Sequence, residues 1–275
     1  MTLALDFSPI RPLVLIGAGK MGGALLQGWI DQGLNPRAVV VIDPSPSAES
    51  AAMLAAAGLE ALDEPPSGVA RVMVVAVKPQ VIADVLPDLR GLVGNETVVI
   101  SIAAGTPIKA LKAGLGDAAI IRAMPNTPAS VGRGITVAIA TPEVDEAGGA
   151  LATELFEAVG DVLWVDDEKM IDAATAVSGS GPAYVFHMVE ALTDAAVSLG
   201  FSDEQAERLA RSTVTGAAEL LYQTDTAAGT LRENVTSPNG TTEAALAVLM
   251  GRTGMKPLMK RAVAAARKRA RELAK

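Results

Sequence analysis

A glycine pattern at the first turn of an alternating chain limits the fold more than any other feature. Residues 13–16 are a short run of leucine and β-branched side chains. Gly17-Ala18-Gly19-Lys20-Met21-Gly22 follows at once, and residues 21–32 then carry apolar side chains at helical spacing as far as Gly33. Read as strand, tight turn and helix, G-x-G-x-x-G uses each glycine differently: the first permits the turn, the second lets a pyrophosphate approach the backbone, and the third lets helix and strand pack closely. The N–H groups of the helix start then face the anion. Lys20 is followed by Met21, so the loop lacks the hydroxyl that a magnesium-nucleotide loop requires.

The alternation continues. Apolar runs at 39–42, 72–77, 97–102 and 119–124 read as buried strands, with helices expected at 48–57, 81–92 and 107–113; the last has Thr106 as its cap and Pro107 at its first position. Residues 135–140, a helix over 143–159 and residues 162–165 complete this half. Near-continuous apolar strands alternating with helices imply a mainly parallel sheet covered on both faces. After Asp166-Asp167 the strand signals stop, and helices are expected at 170–177, 183–199, 203–222, 243–250 and 257–273, broken at 178–182 and over 224–242. The expected architecture is an α/β Rossmann-type doubly wound domain over 1–167 and an all-α domain over 168–275.

Composition shortens the list of chemistries. The chain of 275 residues has no cysteine, which removes thiolate nucleophiles, Cys-ligated metals and disulfides, and its one histidine, His187, leaves no His-pair metal site. No metal is expected. A net charge of −8 repels polyanions, which argues against nucleic acid as a partner. No apolar run reaches the ~18 residues of a membrane span, and the amino terminus lacks the basic and apolar regions of a secretory leader, so a cytoplasmic protein is expected. On its helix His187 shares a face with Glu190 and Asp194, which favours a salt-linked surface or interface histidine over a catalytic acid. The basic tail after residue 259 reads as the solvated face of a final Ala-rich helix.

Asp43 lies 21 residues after Gly22, at the expected end of the second strand, with no Lys or Arg in 44–50. An acid there accepts hydrogen bonds from the adenosine ribose and repels a 2′-phosphate, which favours NADH. It can equally be a turn residue before Pro44. In the helical half, Ser178-Gly179-Ser180-Gly181-Pro182 and the segment from Asn234 to Glu243 are the polar breaks. The second opens a helix with Thr241 or Thr242 at the cap, and its amides and hydroxyls could receive a small carboxylate without an arginine.

These residues resemble the pyrroline-5-carboxylate reductase family through nearly the whole chain. IGAGKMG at 16–22, AVKPQ at 76–80, SIAAG at 101–105, RAMPNTP at 122–128, SGSGPAY at 178–184 and ENVTSPNGTT at 233–242 carry the likeness. The resemblance implies reduction of (S)-1-pyrroline-5-carboxylate to L-proline by NADPH or NADH, with the family leaning towards NADPH. It also implies a homo-oligomer, a dimer or a decamer built from dimers, with the all-α domain as the dimerisation domain. By the same resemblance Gly17, Ala18, Gly19, Lys20 and Met21 look like the pyrophosphate site. Ala76, Val77, Lys78 and Pro79 look like the nicotinamide side, and Asn126 like a further cofactor contact. Ser180 and Gly181 are expected near the substrate; Ser237, Gly240, Thr241 and Thr242 are similar to the carboxylate loop, with Thr242 as the catalytic residue that hydrogen-bonds the ring nitrogen. Asn239 stands where a second glycine is common, a position that tests left-handed backbone. Two rival readings are a β-hydroxyacid dehydrogenase using Lys169 for proton transfer and a non-catalytic dinucleotide sensor.

Overall fold

The structure, a computed structural model, describes residues 12–273; residues 1–11, where a leader would lie, and 274–275 are outside the described residues. Two compact units are present. One runs through Ser180 and takes in the chain from Ala266 onward, and the other is Gly181–Ala265.

In chain order the first unit contains β1 (Leu13–Ile16), α1 (Lys20–Asp31), β2 (Val39–Ile42), α2 (Ala48–Ala56), β3 (Ala61–Leu62), β4 (Val72–Val75) and α3 (Ile82–Val85). There follow β5 (Val98–Ser101), α4 (Ile108–Leu115), β6 (Ala119–Met124), β7 (Gly134–Ala140), α5 (Glu146–Glu157), β8 (Gly160–Trp164) and α6 (Lys169–Ala174). The strands form one eight-stranded sheet in the order 3-2-1-4-5-6-7-8. Every neighbouring pair is parallel except β6 with β7. Successive side chains of each central strand enter opposite cores. Leu13 and Leu15 pack with Trp29, Leu155 and Phe156 on one face, while Val14 and Ile16 pack with Leu86, Leu89 and Leu111 on the other. Burial on both faces is why these strands read as unbroken apolar runs. The strand order reverses between β1 and β4, and in doubly wound sheets the crevice at that reversal is where ligands bind.

Several local expectations need correction. The helix expected over 81–92 survives only as α3, flanked by 3₁₀ turns at Pro79–Val81 and Leu86–Leu92, because Pro87 cannot donate into an α-helical ladder. Thr106 does not cap α4; it is buried, Pro107 takes the cap position, and the carboxylate of Glu168, 60 residues away, accepts from the Ile108 N–H at 2.8 Å. α5 starts at Glu146 behind Asp145, whose Oδ1 accepts from the Gly148 N–H, and not at residue 143.

Glu143, left outside the helix, pairs with Lys112 at 2.7 Å. Hydrogen bonds first from Lys112, then from Thr141 and its own backbone, hold its carboxyl down from 4.5 to about 2. A depressed folded-state value contributes stability that is present above pH ~4.5 and is lost as pH falls through about 2. The pair is solvated, so its contribution is small. An NMR titration of the Glu143 side chain should show a midpoint of about 2, and Lys112→Ala should raise it; a parent midpoint at 4.5 would mean that the pair does not form.

The second unit begins with α7 (Gly181–Ser198) and α8 (Asp203–Gln223), which pack on each other across a turn at Gly200 (φ 97°). Ser202 and Gln205 form a reciprocal capping box at the start of α8. α9 (Ala228–Asn234), α10 (Thr241–Leu249) and α11 (Met255–Leu273) follow, the last continuing into the first unit from Ala266. Within Gly181–Ala265, Ala206 and Ala210 are the only buried side chains among the described residues, while Phe186, Leu199, Leu220 and Val248 are all more than half exposed. Helices with such faces need another apolar surface to cover them.

Candidate functional site

The glycine turn sits at the sheet reversal. Gly17 has φ 92°, and a Cβ there would stand 3.0 Å from the Ala76 carbonyl oxygen and 3.3 Å from Val77 Cγ1. The turn after β1 and the Ala76-Val77 segment after β4 are therefore in direct apposition. At Gly22 a Cβ would lie 2.2 Å from the Gly17 carbonyl oxygen, so α1 and the turn meet at a distance only glycine allows. Gly19 differs: a Cβ would meet nothing within 4 Å, the residue is exposed, and no side chain caps α1 behind it. Open space over the uncapped start of a twelve-residue helix suits a pyrophosphate. Lys20 and Lys78 are exposed and Met21 is half-buried at the same edge.

Asp43 joins this turn directly. Its Oδ2 accepts from the Ala18 N–H at 2.9 Å and its Oδ1 from the Ser45 N–H at 3.1 Å. The bond from Ser45 bears out Asp43 as a turn residue before Pro44, and the bond from Ala18 fixes its carboxylate beside the glycine loop. The Ala18 N–H is engaged by that carboxylate, so Ala18 contributes shape to the loop more than a donor.

At the same carboxyl edge of the sheet, two strands on from β4, β6 delivers Arg122 and, just beyond its end, Asn126 to the chain that follows β8. Arg122 is buried, and its guanidinium donates to Glu168 at 2.8 Å and to Asp172 at 3.0 Å. This cluster was not picked out from the sequence, although an arginine inside an otherwise apolar six-residue strand is a signal for a buried ion pair. Asn126 donates from Nδ2 to the Ser178 carbonyl at 3.1 Å and accepts at Oδ1 from the Ile135 N–H at 2.9 Å. The expected break at 178–182 is in fact helical. α6 runs into a π turn at Thr175–Gly179, and α7 starts at Gly181 with Pro182 in the first turn, where its missing N–H costs nothing. The Ser180 hydroxyl donates to the Thr175 carbonyl at 3.0 Å. Lys169 is exposed at the start of α6.

Within the second unit, the segment after α9 closes a turn in which the Gly240 N–H donates to the Ser237 carbonyl at 3.0 Å. Asn239 has φ 57° and is the only non-glycine residue with positive φ among those described, so the left-handed position is filled by a residue that tolerates it. The cap of α10 is Gly240, which corrects the expectation of Thr241 or Thr242; a Cβ at 240 would lie 2.4 Å from Ser237 Oγ. No side chain caps α10, so its first amides are presented beside the exposed Thr241 and the half-buried Thr242. Glu243 folds back so that Oε2 accepts from the Asn239 N–H at 2.7 Å. α9 itself was missed because a seven-residue helix with little apolar periodicity gives no pattern to read. His187 is exposed on α7 and pairs with Glu190 at 2.9 Å, as the helical spacing implied.

Comparison with known proteins covers both units. Residues 12–105 match a family profile described as NADP oxidoreductase coenzyme F420-dependent, and residues 168–273 match one for pyrroline-5-carboxylate reductase dimerisation. A pyrroline-5-carboxylate reductase of Pseudomonas aeruginosa is 41% identical over 268 residues, 95% of this chain and 96% of its own length. One from Synechocystis is 46% identical over 209 residues, 76% of this chain and 77% of its own. Among solved structures, a pyrroline-5-carboxylate reductase from Coxiella burnetii matches with TM-score 0.89 at 38% identity, over 97% of this chain and 99% of the other. The Plasmodium falciparum enzyme with NADP bound matches with TM-score 0.80 at 27% identity, over 98% and 100%. With identity of this degree running across both the nucleotide-type sheet and the helical unit, the chain belongs to the pyrroline-5-carboxylate reductase family of oxidoreductases.

Proposed function

We propose that this protein reduces (S)-1-pyrroline-5-carboxylate to L-proline with a nicotinamide cofactor, the last step of proline biosynthesis. The observation that carries the reading is 41% identity, along nearly the whole length, to a reductase of that name in a chain whose glycine turn is open only at Gly19. When bound, the cofactor supplies hydride from nicotinamide C4 to the imine carbon, and the ring nitrogen keeps its proton to become the amine. A protonated imine is already an electrophile, so the protein's task is orientation and exclusion of water, and a site without a catalytic histidine suffices.

Gly17, Gly19, Lys20 and Met21 hold the pyrophosphate over the start of α1, and Ala76, Val77, Lys78 and Pro79 line the nicotinamide side of the β1–β4 crevice. Ser237, Gly240 and Thr241 receive the substrate carboxylate with the amides at the start of α10. Thr242 orients the ring nitrogen by a hydrogen bond, and Ser180 and Gly181 border the substrate. Asp43 makes NADH the preferred reductant: two backbone N–H groups fix its carboxylate, no Lys or Arg follows in 44–50, and a 2′-phosphate brought beside it meets like charge. The apolar helices of the second unit support assembly as a dimer, the building block of any larger ring.

Steady-state assay of the purified protein with the imine and each reductant tests this. NADH should be favoured over NADPH by about tenfold or more in kcat/KM, and Thr242→Ala should lower kcat/KM for the imine by at least about tenfold. No turnover of the imine with either nucleotide would remove the reading, and a strong NADPH preference would remove the role given to Asp43.

A further inference from the structure

We propose that Asn126 is a positioning residue: its carboxamide clips the π turn at Thr175–Gly179 to the start of β7 and touches no part of the nucleotide. The inference rests on the reading above, in which residues 178–181 border the reacting centre.

Pro182 leaves one carbonyl at the π turn, that of Ser178, without its usual helical donor. The Ser180 N–H reaches back five residues to the Thr175 carbonyl at 2.8 Å, and the Ser180 hydroxyl donates to the same oxygen. Thr175 and Ser178 add hydroxyl bonds to the carbonyls of Ile171 and Ala174. The usual helical partner of the Ser178 carbonyl is the N–H four residues on, and that residue is Pro182, which has none. Asn126 Nδ2 supplies the missing donor at 3.1 Å. Its Oδ1 meanwhile accepts from the Ile135 N–H at 2.9 Å. Only 8% of Asn126 is exposed, and its amide nitrogen and oxygen each have a backbone partner inside the unit. The turn also rests closely on the end of β6, since a Cβ at Gly179 would lie 3.0 Å from Met124 Cε. A donor on one side and an acceptor on the other is what asparagine provides and aspartate at neutral pH does not. Two motifs more than fifty residues apart, RAMPNTP and SGSGP, are thereby joined by one side chain.

The test is Asn126→Asp, which keeps the acceptor for Ile135 and replaces the donor facing Ser178 with a carboxylate. At about pH 8 the Ser180 amide should exchange with solvent at least about tenfold faster than in the parent, and kcat for the imine should fall about tenfold. The dissociation constant for NADH, read from its fluorescence, should stay within about threefold of the parent. Lowering the pH to about 5.5 should restore protection of Ser180, because the new carboxyl, raised by burial, protonates and donates to the Ser178 carbonyl. If the variant fails to fold, Asn126→Ala combined with Pro182→Ala returns a backbone donor at position 182 and should exchange more slowly at Ser180 than Asn126→Ala alone. Weakened NADH binding with Ser180 protection intact would make Asn126 a nucleotide contact and overturn the proposal. Unchanged exchange together with unchanged kcat would overturn it as well. A parent protein that does not reduce the imine defeats the functional reading, whereas amide exchange and NADH affinity still judge the clip.

Discussion

Gly22→Ala is expected to weaken dinucleotide binding severely and to destabilise the protein, whereas Gly19→Ala, three residues away, is expected to weaken binding with no loss of stability. The geometry at the two positions separates the outcomes. A Cβ at Gly22 stands 2.2 Å from the Gly17 carbonyl oxygen, a backbone atom that cannot swing aside, so α1 must move off the end of β1. Overpacking of this kind costs about 1–3 kcal/mol. The moved turn no longer presents its amides, and affinity for NADH should fall by about 100-fold or more. At Gly19 the added methyl meets nothing within 4 Å, and φ −66° with ψ −171° is backbone that any residue adopts. Its melting temperature should stay within about 1 °C of the parent. The methyl nevertheless occupies the space through which a pyrophosphate reaches the start of α1, and a loss of about 30-fold in affinity, or about 2 kcal/mol, is expected. Calorimetric titration with NADH and thermal melts of both variants give the four numbers needed. If Gly19→Ala binds NADH as tightly as the parent, the nucleotide does not lie over this turn.

The glycine turn was legible because its constraints are local: which residue can take φ 92°, and which can pack where a Cβ would strike a carbonyl at 2.2 Å, depend on neighbours within a few positions in the chain. Continuous apolar strands were legible for a related reason, since burial on both faces leaves its mark on every residue of the run. β3, with two residues, and α9, with seven, leave too short a pattern to detect. Pro87 was visible in the sequence, and the break it makes in the expected 81–92 helix follows from its missing N–H. Long-range polar contacts were the unreadable part. Thr106 looked like a cap because it stood at the right place in the chain; Glu168 took the Ile108 N–H because tertiary packing brings it there. Asn126 was legible as a motif residue, but its partners at 135 and 178 were not. Spacing alone does not say which carbonyl a proline leaves unmatched or which side chain answers it. The exposed apolar helices of the second unit were anticipated as a dimerisation surface from resemblance, and the burial of only Ala206 and Ala210 among its described residues supplies the physical reason.

Arg122→Met should lower the stability of the first unit by about 2–3 kcal/mol while leaving the affinity for NADH within about twofold. Methionine retains the apolar stem inside the sheet, so the change isolates the guanidinium. Removing that group leaves Glu168 and Asp172 facing each other around one buried site, and breaking a buried pair costs about 3–5 kcal/mol because a charge is left uncompensated. Two features pull the expectation below that range. The Glu168 and Asp172 side chains are 33% and 17% exposed, so water can approach both. Arg122 Nε is buried with no hydrogen-bond partner, so the parent already carries a deficit of about 1 kcal/mol that the variant relieves. Glu168 also accepts from the Ile108 N–H, which keeps one of its bonds when the arginine is gone. Adding Glu168→Gln and Asp172→Asn to Arg122→Met should recover most of the loss, since the cost comes from the stranded carboxylates and not from the missing bonds. Denaturant unfolding of the single and triple variants measures both effects. If the triple variant is no more stable than the single one, the ion cluster contributes through packing alone. The crevice between β1 and β4 proposed to take the nucleotide is bounded by backbone and glycine contacts, none of which Arg122 makes, and affinity for NADH should therefore not follow the stability downward.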